Sequence, residues 1–92
     1  MHMRTYTVVL EYDPEDPGYS VRVSALRGCY TQGDTVEEAL ASAREAIARH
    51  LAALEGIGAP IPDEGEEVAA DVMRAMTGAR AADRVLVGRV AA

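Results

Sequence analysis

The sequence has no Trp, no Phe and no Lys, and it has only one Cys. The four Tyr are therefore the only aromatic residues, and the core must be built mainly from Val, Leu, Ile, Ala and Met. These side chains bury little area each, and a domain of 92 residues buries only about 60–65% of the surface that its unfolded chain exposes. We therefore expect one thin core and further burial through self-association, as a homodimer or a larger oligomer.

Other features that the sequence lacks indicate the cellular compartment. The lone cysteine, Cys29, excludes an internal disulfide and fits a reducing environment. The start of the chain, Met1-His2-Met3-Arg4, lacks the apolar run of a signal peptide. No apolar stretch approaches the ~20 residues that a membrane span needs. The sequence therefore predicts a cytoplasmic protein that does not contact a membrane.

The net charge of −6 is unevenly distributed. Residues 1–33 carry three Arg and four acids (−1), residues 34–67 carry two Arg and nine acids (−7), and residues 68–92 carry four Arg and two acids (+2). The acidic middle argues against nucleic-acid binding there, because phosphate contacts supply most of that affinity. It suits a basic protein partner instead. A solvated helix face that aids solubility is the alternative explanation.

Two alternating segments predict a β-hairpin. In residues 4–12, Tyr6, Val8 and Leu10 fall on one face, and a second run alternates in the same way from Tyr19 to residue 26. The intervening Asp13-Pro14-Glu15-Asp16-Pro17-Gly18 has the composition of a loop. Residues 29–32 are short but favour a third antiparallel strand.

A long helix is predicted over about residues 35–55. Thr35-Val36-Glu37-Glu38 forms a capping box, in which the Thr35 hydroxyl accepts from the Glu38 amide and the Glu38 carboxylate accepts from the Thr35 amide. Gly56 or Gly58 ends the helix ahead of two prolines. The side chains expected to face the sheet are those of Val36, Leu40, Ala43, Ile47 and Leu54.

The remaining residues predict a turn, a short helix and a strand that belong to the same domain. A turn or linker at 62–66 precedes a short second helix over 66–77, and residues 84–90 form a possible edge strand. The fold class is therefore α+β, in the order β-β-β-α-β. An antiparallel sheet of three to four strands carries one long amphipathic helix, a short second helix is added, and residues 1–92 form one domain.

Three groups of residues could in principle support catalysis or ligand binding, but a structural explanation is favoured for each. Glu11, Asp13, Glu15 and Asp16 lie in or beside one loop, so a solvated turn is favoured over a metal site, which needs carboxylates from separate segments. Cys29 lacks a nearby histidine to activate it, because His2 lies in the terminal tail and His50 far along the helix. Gly28, Thr31 and Gly33 lack the Lys and spacing of a phosphate loop, and turns with positive φ explain these glycines better.

Arg74, Arg80, Arg84 and Arg89 are a weak signal for nucleic-acid contact.

Several strings resemble the HicB antitoxin-like family. They are Gly18-Tyr19-Ser20-Val21-Arg22-Val23, Leu26-Arg27-Gly28-Cys29-Tyr30-Thr31-Gln32-Gly33-Asp34-Thr35, Glu37-Glu38-Ala39-Leu40, Ala43-Arg44-Glu45-Ala46-Ile47 and Gly58-Ala59-Pro60-Ile61-Pro62. The resemblance covers about residues 5–62 and implies a partial ribonuclease-H-like fold. The residues that match the family motif, which we interpret as structural, are Gly18, Gly28, Cys29, Thr31, Gly33, Asp34, Thr35, Glu38 and Ala39.

The chain also departs from that family. Ser24-Ala25 stands where members carry a Pro-Asp or Pro-Glu pair, and Ser42 where many carry Asn. Residues 63–92 are in the wrong order for a ribbon-helix-helix and lack the second helix of a helix-turn-helix, so DNA binding is not expected. Ribonuclease-H chemistry is not expected either, because the first two strands hold only Glu11 as an acidic residue.

What the resemblance implies is an antitoxin of a type II toxin–antitoxin system. It would neutralise a small basic HicA-type toxin that cleaves messenger RNA, by covering the nucleic-acid surface or catalytic His of that toxin. Glu37, Glu45 and Glu55 are the candidate partner-binding residues. No catalysis, metal, cofactor or small-molecule substrate is expected. The alternative is a stand-alone structural or regulatory domain that self-associates without a toxin.

Overall fold

The computed structural model describes residues 4–78 and 84–92. Its elements follow the predicted order: β1 (Thr5–Tyr12), β2 (Tyr19–Val23), β3 (Tyr30–Gly33), α1 (Val36–Gly56), α2 (Glu66–Thr77) and β4 (Val85–Ala91). The strands form one antiparallel sheet in the order β3-β2-β1-β4. The predicted α+β class is confirmed. His2 and Arg80, named above, lie outside the described residues.

Alternation along β1 builds the main core on one face of the sheet. Tyr6, Val8 and Leu10 are almost completely buried, and Val8 and Leu10 pair with Val23 and Val21 of β2. Leu26 and Cys29, on either side of the turn between β2 and β3, complete this layer. The second run of alternation therefore ends in a turn after Val23, earlier than the predicted residue 26.

Helix α1 covers this face. Ala39, Ala43 and Ile47 are fully buried, and Leu40 and Leu51 pack against the same core. The expectation that Leu54 faces the sheet was wrong, because Leu54 is only half-buried and lies outside the core. Leu54 lies in the last turn of α1, and Leu51, one turn earlier, is the last residue of the helix that packs against the core.

The start of α1 lies against the end of β3. A β-carbon placed on Gly33 would lie 2.6 Å from Ala39 Cα and 2.8 Å from the Glu38 carbonyl carbon. Gly33 is therefore required for close approach of the two backbones. The expectation of a positive φ holds at Gly28 (φ 85°) but was wrong at Gly33, which is not among the positive-φ glycines.

The predicted cap forms with one changed partner. Thr35 Oγ1 accepts from the Glu38 amide at 3.1 Å, as expected. The Glu38 carboxylate accepts from the amide of Asp34 at 3.1 Å, whereas the sequence predicted the amide of Thr35. The extended backbone of Thr35 (φ −124°, ψ 166°) brings the Asp34 amide to the carboxylate, so two of the polar groups at the start of the helix are still satisfied.

Helix α2 lies on the opposite face of the sheet, where Val9 and Val68 are buried. Arg22 Nε donates to Asp71 Oδ2 at 3.0 Å, and Arg22 Nη1 donates to Glu11 Oε1 at 2.6 Å. The hydroxyl of Ser24 also donates to the Asp71 carboxylate. The hydrogen bonds from Arg22, aided by that from Ser24, hold the pKa of Asp71 below its ordinary value despite partial burial. This network fixes α2 on the sheet.

The segment before α2 is anchored, although the sequence predicted a turn or linker at 62–66. The Tyr6 hydroxyl donates to the carbonyl of Pro62 at 2.7 Å, and burial raises the pKa of Tyr6. The Thr7 amide donates to the Glu64 carboxylate, and Thr7 Oγ1 donates to Glu64 Oε2 at 2.9 Å. The chain therefore crosses from one face of the sheet to the other along β1.

Candidate protein-binding surface

Six carboxylates gather at one end of the molecule, here called the acidic end: Asp13, Glu15, Asp16, Asp34, Glu37 and Glu38. The loop between β1 and β2 supplies the first three, and the approach to α1 and its first turn supply the others. A shallow cavity lined by Asp13, Asp16, Asp34 and Gln32 joins the two groups. The six residues come from two stretches of sequence about 20 residues apart, so the acidic end exists only after folding.

Local structure holds the acidic end in place. The Glu15 amide donates to Asp13 Oδ1 at 3.0 Å, which closes a turn within the loop. Gly18 has φ 143°, a value that side chains disfavour, and a β-carbon there would lie 3.2 Å from the carbonyl oxygen of Gly33. This close approach presses the loop against the segment that leads into α1.

The negative charge of the acidic end is not neutralised within the described chain. Four ion pairs join described residues: Arg4–Asp63, Arg22–Glu11, Arg22–Asp71 and Arg74–Asp71. None of them includes a carboxylate of the acidic end. Ionised carboxylates are acceptors only, and they form their strongest hydrogen bonds with Arg and Lys. The surface is therefore suited to a basic partner.

Metal binding was the alternative use of these acids. Among residues 4–78 and 84–92, no group of three or more His, Cys, Asp and Glu side chains has a metal-binding arrangement. Asp13, Asp16 and Asp34 line an open cavity.

The structure separates the three predicted partner-binding residues. Glu37 belongs to the acidic end, whereas Glu45 and Glu55 are exposed further along α1. Eighteen residues of helix place Glu55 about 27 Å from Glu37 along the axis. Sequence reasoning missed Asp13, Glu15 and Asp16 as companions of Glu37. The signal was present as a dense acidic loop, but only the fold shows that this loop meets the start of α1.

Cys29 and His50, expected to be far apart, line the same shallow groove between β3 and α1. Cys29 is buried, and burial raises the pKa of its thiol. A catalytic cysteine needs the opposite change, because the thiolate is the nucleophile. The same groove is bordered by Tyr30, a residue that is 72% exposed. Cys29 therefore has the environment of a core residue.

Among the described residues, no helix is long and apolar enough to cross a membrane. A UPF0150 protein of Thermoplasma acidophilum is 45% identical over 64 residues, which cover 68% of this chain and 91% of that protein. The N-terminal domain of the antitoxin HicB of Burkholderia pseudomallei has the same fold, with a TM-score of 0.66, 20% identity and 94% of each chain covered.

A chain of the HicA3 and HicB3 toxin–antitoxin complex gives a TM-score of 0.64 at 25% identity, again with 94% of each chain covered. The family model described as the HicB-like antitoxin of bacterial toxin–antitoxin systems matches residues 6–78. That match spans most of the chain and includes the acidic end, the motif glycines and α2. The chain belongs to the HicB-like antitoxin family.

Proposed function

We propose that this chain neutralises a small basic toxin of the HicA type by binding it and covering the surface with which the toxin holds messenger RNA. The observation that carries the proposal is the acidic end, whose charge has no cationic partner within the described chain. An RNA-cleaving toxin carries a basic surface for phosphates, and the acidic end is complementary to it.

The likeness to a chain of the HicA3 and HicB3 complex supports a toxin as the partner. In this proposal the described residues act together as one HicB-like domain, because α2 is held on the sheet by the network of Arg22 and Asp71. It acts by binding and not by catalysis. The toxin acts on messenger RNA, so the proposal places the protein in the cytoplasm.

Titration of the toxin with the purified chain tests this function. We expect RNA cleavage by a HicA-type toxin encoded beside this gene to fall linearly and stop at a fixed molar ratio. Raising the RNA concentration should shift the titration if RNA and the antitoxin compete for one surface. Full cleavage in the presence of a molar excess of the folded chain would contradict the proposal.

Two charge-matched variants locate the surface. The double variant Asp16→Lys, Asp34→Lys reverses charge at the acidic end, where neither side chain makes an ion pair. The control, Glu45→Lys, Glu55→Lys, makes the same change of net charge further along α1. We expect the first variant to need a higher concentration than the parent for the same inhibition at physiological salt, and the control to inhibit as the parent does. The reverse result would show that the toxin contacts the outer face of α1 instead of the acidic end.

The second candidate function is a stand-alone domain that self-associates without a toxin. The observation that favours it is β4, an edge strand on which Leu86 and Val87 are 45% and 43% exposed. A chromosomal neighbourhood without a short basic reading frame, together with failure to protect cells from any HicA-type toxin, would favour this function over the first.

A further inference from the structure

The edge strand β4 carries an apolar surface on both faces. Within the described chain it pairs only with β1. Leu86 lies on the α1 side and Val87 on the α2 side, and each is close to half exposed. Protected edge strands are usually short, charged, bulged or interrupted by Pro, whereas β4 has seven residues, no Pro and a single charged residue, Arg89.

The hydrogen bonds at the end of β4 show which backbone groups point outward. The Arg4 amide donates to the Ala92 carbonyl at 2.9 Å, and the Ala92 amide donates to the Arg4 carbonyl at 2.8 Å. In an antiparallel pair such reciprocal bonds recur at every second residue. Val90, Gly88 and Leu86 therefore bond to β1. The amides and carbonyls of Val85, Val87, Arg89 and Ala91 point away from the sheet.

We propose that this edge binds β4 of a second copy of the chain, antiparallel, with the two-fold axis at Gly88. In this register Val87 lies opposite the partner's Arg89, and Val85 lies opposite the partner's Ala91. All four outward-facing residues of each copy then make reciprocal bonds. The two four-stranded sheets become one sheet of eight strands. The inference does not depend on a toxin, and it specifies the surface through which the chain self-associates.

Two other symmetric registers fit less well. An axis at Arg89 places the two arginines directly opposite each other, which is unfavourable for like charges. An axis at Val87 leaves Ala91 without a partner among residues 85–91. The axis at Gly88 avoids both problems and uses the full strand.

The side chains near the proposed axis are suited to the contact. A β-carbon on Gly88 would lie 3.6 Å from Leu40 Cδ2, so the half-buried Leu40 of α1 fills the space above this glycine. A two-fold axis through Gly88 perpendicular to the sheet keeps both α1 helices on one side. Leu40 and Leu86 of each copy then form one apolar seam across the strand pair. This burial compensates for the thin core of the monomer.

Val87→Pro tests the interface in the full chain. Proline removes an outward amide and no bond to β1, so the monomer should stay folded, as edge strands tolerate proline. The matched control is Gln32→Pro on β3 at the opposite edge, where the Val23–Cys29 bond implies that the Gln32 amide also points outward. Light scattering should show a dimer for the parent chain and for the control. For Val87→Pro the dimer dissociation constant should rise by about tenfold or more.

Amide exchange followed by NMR gives an independent measure that does not require a variant. We expect the amides of Val85, Val87, Arg89 and Ala91 to be protected at high micromolar concentration and to exchange faster on dilution. The Gln32 amide should exchange quickly at both concentrations. A monomer throughout this range would overturn the proposal. So would a dimer that survives Val87→Pro, or protection of β4 that arises only when a toxin is added.

Discussion

Gly33 is the residue at which the contact between β3 and α1 leaves no room for a side chain. A β-carbon would collide with the backbone of Glu38 and Ala39, and backbone atoms cannot move aside as a flexible side chain can. We expect Gly33→Ala to lower the free energy of unfolding by about 1–3 kcal/mol or more. Denaturation in urea measures this change.

Gly56→Ala is the control for Gly33→Ala. A β-carbon at Gly56 has nothing within 4 Å, and the residue lies at the end of α1. We expect Gly56→Ala to be neutral or to stabilise by up to about 1 kcal/mol, because Ala favours helix more than Gly does. Equal midpoints for the two variants would mean that β3 and α1 are further apart than described.

Asp71 makes the docking of α2 depend on pH. The hydrogen bonds from Arg22 hold its pKa below the unfolded value of about 3.9, so its contribution is complete above about pH 4 and is lost as pH falls through the lower folded pKa. We expect Asp71→Asn to cost about 1–3 kcal/mol at pH 7. The difference between parent and variant should shrink as the pH is lowered from 5 to 3.

Asp63→Asn provides the comparison for the Asp71 variant. The carboxylate of Asp63 also pairs with an arginine, Arg4, but its side chain is 85% exposed, against 19% for Asp71. An exposed pair contributes about 0–1 kcal/mol. Urea midpoints at several pH values that change equally in both variants would show that α2 is not held by the Arg22–Asp71 network.

At the scale of the element, the start of α1 depends on Thr35. Its hydroxyl satisfies the amide of Glu38, and replacement by Ala leaves this amide without its protein acceptor. We expect Thr35→Ala to lower the free energy of unfolding by ~1 kcal/mol. Thr5→Ala, at an exposed position at the start of β1, is the matched control. An unchanged midpoint for Thr35→Ala would mean that the cap does not contribute to stability.

The elements differ in how far the sequence predicts them. The strands, α1 and its cap were predictable because alternation, 3.6-residue periodicity and capping depend on residues close together in sequence. The docking of α2 was not predictable in this way. It depends on a bond between Arg22 and Asp71, 49 residues apart, and nothing in the local pattern of either segment pairs them. The contact of Glu64 with Thr7 is of the same kind.

The candidate protein-binding surface also depends on contacts between segments that are far apart in sequence. The sequence predicted an acidic region over residues 34–67 and a basic partner, with Glu37, Glu45 and Glu55 as the candidate contacts, but it did not include the loop before β2. The loop containing Asp13 and Asp16 joins the surface because Gly18 approaches the Gly33 carbonyl. Whether separate charged segments meet is a property of the tertiary structure, and one-dimensional charge counts do not contain it.

At the scale of the whole molecule, the distribution of charge argues against nucleic-acid chemistry. The net charge of −6 opposes binding to phosphates, and Arg4, Arg22 and Arg74 already pair with carboxylates of the same chain. We expect the purified protein neither to cleave RNA with added Mg²⁺ or Mn²⁺ nor to bind operator DNA above a non-specific level. Gel-based cleavage and mobility-shift assays measure both. Metal-dependent cleavage that copurifies with the folded protein would support an enzyme instead.

The same distribution predicts how the acidic end acts on a basic toxin. Charges that remain exposed act mainly during approach, so they raise the association rate more than they slow dissociation, and salt screens them over about 8–10 Å. We expect Asp16→Lys, Asp34→Lys to slow association by about tenfold or more at low salt, with a smaller change in the dissociation rate.

Surface plasmon resonance at 50 and 500 mM salt separates the two rates. The parent's association rate should fall steeply with salt, and that of the variant should depend on salt much less. Glu45→Lys, Glu55→Lys should keep most of the parent's salt dependence. A variant that changes only the dissociation rate would show that Asp16 and Asp34 are buried in a specific contact, and equal effects of the two double variants would show that only net charge matters.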